Sequence, residues 1–280
     1  MFLMTRQKMY IFTGFAAALY VALAIAFADG LFTGTFFDSD AVTGSTWLSY
    51  VLLAAIIIGG VTQARRLPDE GVTVGTRKGE TSEGQVEDPA GWKLLLGNTY
   101  LAILWMPIRF FVGQEWLSAG EHKVRDGAWM DGGSALQGYW TNAVRIPETG
   151  RAPITYNWFR DFLQYMLNHE WYTWFAKVVA IGEVLVGVGL IVGALVGIAA
   201  FFGTVLNFNF LLAGSTSTNP VLFAITVFLV LGWKVAGYIG LDRVLLPALG
   251  TPWNSGKLMS IRNRHDDGAG SVTPHQPRAI

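Results

Sequence analysis

The chain contains no cysteine, so thiol-disulfide exchange, CxxC redox pairs, iron-sulfur ligation and covalent haem attachment are all closed to this polypeptide by itself. Histidine is nearly as scarce. His122 and His169 lie between apolar stretches, His265 and His275 lie in the C-terminal tail, and no apolar stretch contains one. Neither a haem held by two histidines within a helical bundle nor an iron-sulfur cluster is therefore expected within this chain. HExxH and Walker-type phosphate loops are missing. Charge is low as well, at 14% of 280 residues, and 20 basic side chains balance 20 acidic ones, so no overall field favours nucleic acid.

What fills the chain instead is apolar: 52% of residues are hydrophobic and the mean hydropathy is +0.38. Such a balance points to a solvent that is partly lipid. A hydrocarbon core of roughly 30 Å needs about 20 helical residues. Uncharged or nearly uncharged runs of about that size extend from Tyr10 to Ala28, Trp47 to Gln63, Leu94 to Val112, Tyr172 to Ala213 and Val221 to Tyr238. The fourth is twice the length required, with Gly193 and Gly197 near its middle where the chain can turn back. The expected architecture is an all-α, multi-pass bundle of about six transmembrane helices in a cell membrane. The first run follows Arg6 and Lys8 and ends in small residues, a pattern shared by a cleaved signal peptide and a retained helix; its length favours the retained helix.

Lys and Arg sort unevenly between the connecting segments. With the N-terminus cytoplasmic, that side carries twelve of them and the opposite side five, Lys123, Arg125, Arg145, Arg151 and Arg160. The positive-inside rule then places both termini in the cytoplasm. The chain divides into a two-helix segment (residues 1–64), a polar cytoplasmic linker (65–91), a four-helix core (92–246) and a polar tail (247–280) expected to be disordered. Residues 114–171 form a long outer connection rich in aromatic side chains, among them Trp116, Trp129, Trp140, Trp158 and Trp171. Two readings fit it: an interfacial aromatic belt, or a folded cap over a site.

Four ionisable residues fall inside the apolar runs: Arg109, Lys177, Glu183 and Lys234. Each calls for a partner or an escape to the interface. Lys234 can snorkel toward the cytoplasmic side. Glu183 cannot, because its stem is short and it lies near the midplane, so it must be protonated, hydrogen-bonded or paired. Asn207, Asn209 and Arg109 are the candidate partners. Such groups serve equally as packing glue between helices or as a functional site.

The run from Arg109 through Gly113 and the Ala119-Gly120 pair to Lys123 resembles the first core helix of the DoxX/DoxD family of small membrane proteins. Gly182-Glu183 with Gly187 and Gly193, Asn207 and Asn209 leading to Ala213-Gly214, and Leu241-Asp242-Arg243 extend the resemblance across residues 92–246. The resemblance implies a four-helix membrane core, linked in some members to quinone redox work such as that of the membrane subunit of thiosulfate:quinone oxidoreductase. It carries Arg109, Lys123, Glu183 and Asn207 over as site candidates. A quinone head group near the outer leaflet needs protons at two carbonyl oxygens as electrons arrive. Glu183 is the expected acid and Arg109 the expected donor, with Arg109, Asn207 and Glu183 binding the ring. Glu121, His122 and Lys123 would stand at the mouth. With no metal and no haem of its own, such a chain would work beside other membrane or outer-side redox subunits in the bilayer. The alternative is a non-catalytic accessory or scaffold subunit of a larger membrane complex, its aromatic loop docking a partner.

Overall fold

The computed structural model describes residues 2–27, 46–74 and 88–251. The tail from residue 252 and the middle of the linker, residues 75–87, lie outside the described residues, and with them the expectation of a disordered tail. Among the described residues the fold is almost wholly helical. A short strand β1 (Phe2–Met4) precedes α1 (Arg6–Phe27) and α2 (Thr46–Arg65), and β2 (Val72–Val74) pairs antiparallel with β1 in the register Phe2 to Val74. Then come α3 (Ala90–Gly97), a 3-10 helix (Thr99–Trp105) and α4 (Met106–Arg125). The connection that follows holds α5 (Gly127–Met130), α6 (Ser134–Val144) and α7 (Asn157–Asn168). The chain ends in α8 (Tyr172–Val192), α9 (Val196–Leu212), α10 (Asn219–Leu231), α11 (Trp233–Ala236) and α12 (Asp242–Ala248).

Polarity is arranged for a lipid solvent. On α8 the exposed side chains include Val178, Ile181, Leu185 and Val188, and on α9 Ile198, Phe201, Phe202 and Phe208, while Glu183 and Asn207 are fully buried. An outside of Leu, Val and Phe around an interior holding charge is the reverse of a soluble bundle. By length and composition two helices can cross a membrane, Trp47–Arg65 and α8, and a third if α3 and the helix after it count as one span. The apolar helices α9 and α10 are shorter, at 17 and 13 residues.

Several expectations are corrected. The run from Leu94 to Val112 is not one straight span: the axis turns by 80° between α3 and the helix that follows. Asn98 marks the break, accepting a hydrogen bond from the Tyr100 N–H, and the Trp105 indole donates back to the Leu95 carbonyl at 3.0 Å. The helix that enters the bundle core is α4, starting at Met106 with Pro107 in its first turn, where a missing N–H is harmless. It continues to Arg125, so residues 114–125 belong to a core helix and not to a loop. The linker is also partly folded. Its Val72–Val74 strand pairs with β1, Arg6 donates to the Leu67 carbonyl at 3.0 Å and forms an ion pair with Asp69, and α3 begins within it. The doubled run does fold back at Gly193, whose φ of +71° is left-handed, but Gly197 lies inside α9.

The helices pack most extensively as α4 against α8, followed by α9 against α10 and α1 against α2. Glycine lets the first pair close. A Cβ on Gly120 would lie 2.6 Å from the Val184 amide nitrogen, and one on Gly187 would lie 2.5 Å from that of Leu117. Close backbone approach at small residues is how helices associate without a hydrophobic drive between them. The N-terminal pair is joined to the same core. The Tyr20 hydroxyl donates to Gln114 Oε1 at 2.8 Å and Gln114 Nε2 donates to Ser49 Oγ at 3.0 Å, all three residues being buried. The first two helices are thus part of the core bundle.

Gly120→Val should drive α4 and α8 apart and cost about 1–3 kcal/mol, the usual penalty of overpacking. Gly182→Ala, on α8 with open space around it, should stay within about 0.5 kcal/mol of the parent protein. Unfolding in mixed detergent micelles measures both.

Candidate functional site

The α4–α8 seam carries the buried charge. Gly113, Gly120 and Gly187 set the two antiparallel helices so close that Lys123, one turn beyond Gly120, reaches Glu183 in the middle of α8. Lys123 Nζ lies 2.5 Å from Glu183 Oε2 in a charge-assisted hydrogen bond. The carboxylate side chain is 1% exposed and the lysine 17%. The ammonium also stands 5.1 Å from the Trp129 ring and 5.9 Å from that of Phe210, within the range where aromatic faces attract a cation. Glu183 Oε1 has no hydrogen-bond partner.

Beside this pair opens a cavity of about 300 Å³. Lys123 and Glu183 form its charged wall together with Glu115, and Trp116, Trp129, Tyr139 and Phe210 form its aromatic walls. The turn between α9 and α10, through Ser215, Ser217 and Asn219, closes its upper side. α5 and α6 contribute Trp129 and Tyr139, so the long connection is a folded cap: Leu136, Trp140, Phe159, Leu163 and Met166 build a second buried cluster against Ala176 and Ala213. Polar groups that converge in an otherwise apolar pocket are the usual make-up of a small-molecule site.

The expected site residues separate. Glu183 and Lys123 meet, but Arg109 is not with them. Its guanidinium approaches Gly193, ten residues from Glu183 and therefore about 15 Å away along α8. There Nη1 and Nη2 donate to the carbonyls of Ala236 and Ile239 at 2.8 and 2.9 Å. The neighbouring Asp242 carboxylate accepts from the Leu195 and Val196 N–H groups at 2.5 and 2.9 Å, capping α9. Arg109 and Asp242, both buried, tie the ends of α4, α8, α9 and α11 together; this is a structural clamp, and the expectation that Arg109 serves beside Glu183 is corrected. The cause is the register of the third span: with α4 running from 106 to 125, Arg109 falls at the end away from the cap.

Asn207 is fully buried and neither side-chain polar atom has a partner, yet it is not among the residues lining the cavity. Asn209 donates to the Val205 carbonyl at 2.8 Å. Of the three residues expected at the mouth, only Lys123 lines the cavity. Glu121 forms an ion pair with Arg125 on the next turn, and His122 is exposed. Lys177 and Lys234 are exposed on their helices. Sequence reasoning missed Glu115, because it sits among residues assigned to a loop, and gave Asp242 no role, because a capping carboxylate 46 residues from its partner leaves no local signature.

No family model, curated protein or solved structure matches the chain.

Lys123→Met leaves the buried Glu183 without its counter-charge and should cost about 3–5 kcal/mol, whereas Lys123→Met combined with Glu183→Leu should recover most of that loss. Denaturation of both variants and of Glu183→Leu alone decides it; a loss in the double variant equal to the sum of the two single losses would show that the pair is not coupled.

Proposed function

We propose that the protein is an integral membrane subunit of a quinone-linked redox system, of the thiosulfate:quinone oxidoreductase type that its resemblance to the DoxX/DoxD family implies. The observation that carries this reading is the Lys123–Glu183 pair on the wall of an aromatic cavity, with one carboxylate oxygen unpartnered. The residues fit such a group: Trp129, Tyr139 and Phe210 offer faces for a flat ring, and Glu183 and Lys123 offer polar contacts for ring oxygens. A bound quinone supplies the electron-accepting ring, whose two carbonyl oxygens take up protons on reduction. Glu183 holds a proton or a hydrogen bond at Oε1, and Lys123 orients the carboxyl and stabilises it when charged. The cap excludes bulk water from the pair. With no cysteine in the chain, electrons come from a partner subunit or from the substrate itself.

In this reading the chain crosses the membrane six times, through α1, α2, α4, α8, α9 and the α10–α11 pair, with both termini cytoplasmic and the cap outside. The basic residues support it: the connection between α4 and α8 carries only Arg145, Arg151 and Arg160, while most of the others cluster at the opposite ends of the helices and in the tail. The absence of native cysteine makes the topology easy to test. Glu148→Cys, in the cap, should react with an impermeant maleimide on intact cells, and Glu70→Cys, after α2, only once the membrane is opened; the opposite pattern inverts the assignment.

Titrating the purified protein in lipid nanodiscs with a short-tailed benzoquinone tests the site. Glu183→Gln and Lys123→Met should weaken binding about tenfold or more, the loss of a charge-assisted hydrogen bond of roughly 1.5–3 kcal/mol. Arg109→Ala should lower stability and leave the affinity of the folded fraction alone. Should Glu183→Gln change neither binding nor turnover, while removal of the cap disperses associated subunits, the protein is an accessory scaffold.

A further inference from the structure

A second cavity, of about 190 Å³, lies under the cap. Its walls are apolar, with Leu136, Trp140 and Phe159 from the cap facing Val179 of α8 and Val205 of α9. Phe162 and Val205 are among its lining residues, and both are substantially exposed, at 47% and 38%, so it reaches the apolar surface between α7 and α9. The two cavities have walls in common: Tyr139 and Phe210 line both. These two rings meet edge to face, centroids 6.2 Å apart and planes at 76°, and form the partition between a charged chamber and an apolar one. Together the chambers fall within the roughly 300–1,000 Å³ usual for a small-molecule site.

We infer that the cap cavity is the chain-binding half of a two-chamber site, for a lipid-soluble amphiphile whose polar ring lies at Lys123 and Glu183 and whose isoprenoid or alkyl tail turns the Tyr139 and Phe210 rings aside to occupy the second chamber. The inference rests on the proposed quinone reading for the identity of the head group, and on the cavities alone for the tail. A polar chamber by itself would accept any small ring or anion. A purely apolar chamber by itself would accept a stray lipid chain. Two chambers divided only by a pair of aromatic side chains suit a molecule that is polar at one end and apolar at the other. The mouth between α7 and α9 lets such a molecule enter sideways from lipid without crossing water. The aromatic residues of the long connection thereby have a task beyond the interface: Trp140 and Phe159 enclose the tail while Trp129 stands over the lysine at the head.

The test compares three probes in nanodiscs: a decyl-tailed benzoquinone, a tailless methylated benzoquinone, and decanol, which has the chain without the ring. Two filling variants, Val179→Phe and Val205→Phe, narrow the apolar chamber from different helices, and Val205 is exposed enough that its substitution spares the core. Both should weaken the decyl quinone and decanol at least tenfold and leave the tailless quinone unchanged, whereas Glu183→Gln should weaken both quinones and leave decanol unchanged. If neither filling variant alters binding of the decyl quinone or of decanol, the tail chamber is refuted, and the quinone reading survives wherever Glu183→Gln still acts on both quinones. If decanol binds and is displaced by the filling variants while neither quinone responds to Glu183→Gln, the tail chamber stands and the quinone reading falls.

Discussion

A carboxylate in the middle of a 21-residue apolar helix has no route to water, and everything around Glu183 is arranged to answer that constraint. The answer is Lys123, brought within 2.5 Å by a helix pair whose glycines remove every side chain that would hold the backbones apart. The order of dependence is clear. Close approach at Gly120 and Gly187 comes first, the ion pair follows from it, and the cavity opens beside the pair, where the lysine stands 5.1 and 5.9 Å from the Trp129 and Phe210 rings. A buried pair of this kind contributes little net stability, because desolvation offsets most of the Coulomb gain.

The other end of the bundle meets a different demand with similar chemistry. Where α8 turns into α9 the first N–H groups of α9 lack helical partners, and at the end of α11 and just beyond it so do the carbonyls of Ala236 and Ile239. Arg109 takes two of the carbonyls and Asp242 takes two N–H groups, each bridging more than forty residues of sequence. One buried charged pair thus shapes a cavity and one buried arginine with its aspartate closes a corner, about three helical turns apart on the same helices.

Much of the architecture is readable from hydropathy alone: the apolar helices, the fold-back at Gly193, and Glu183 as the residue requiring a partner. The register of the third span is not readable. An apolar run continues smoothly from Leu94 across the break at Asn98, while α4 itself is diluted by Arg109, Glu115, Glu121 and Lys123, which look like a loop to any measure that averages hydrophobicity. Those charges face the inside of the bundle, which hydropathy cannot tell from facing water. A span ending at Val112 puts Arg109 toward the cap and Lys123 at a mouth, so hydropathy pairs Glu183 with Arg109, and only the resemblance sets Lys123 and Glu183 among the same candidates. The cap is legible as aromatic, and a folded cap is one of the two readings its sequence allows; the second buried cluster that decides for it depends on α8 and α9 far along the chain.

The small β1–β2 pairing has a consequence in the order of synthesis. β1 leaves the ribosome about seventy residues before β2, so its edge waits unpaired while α1 and α2 are made. The register Phe2 to Val74 closes only when the end of α2 comes back beside the start of α1, where Arg6 also meets Leu67 and Asp69. A chain in which α2 does not pack back along α1 keeps an open strand edge, the kind of surface that invites pairing with other chains. Three residues of sheet thereby fasten the α1–α2 pair at one end before the rest of the bundle exists.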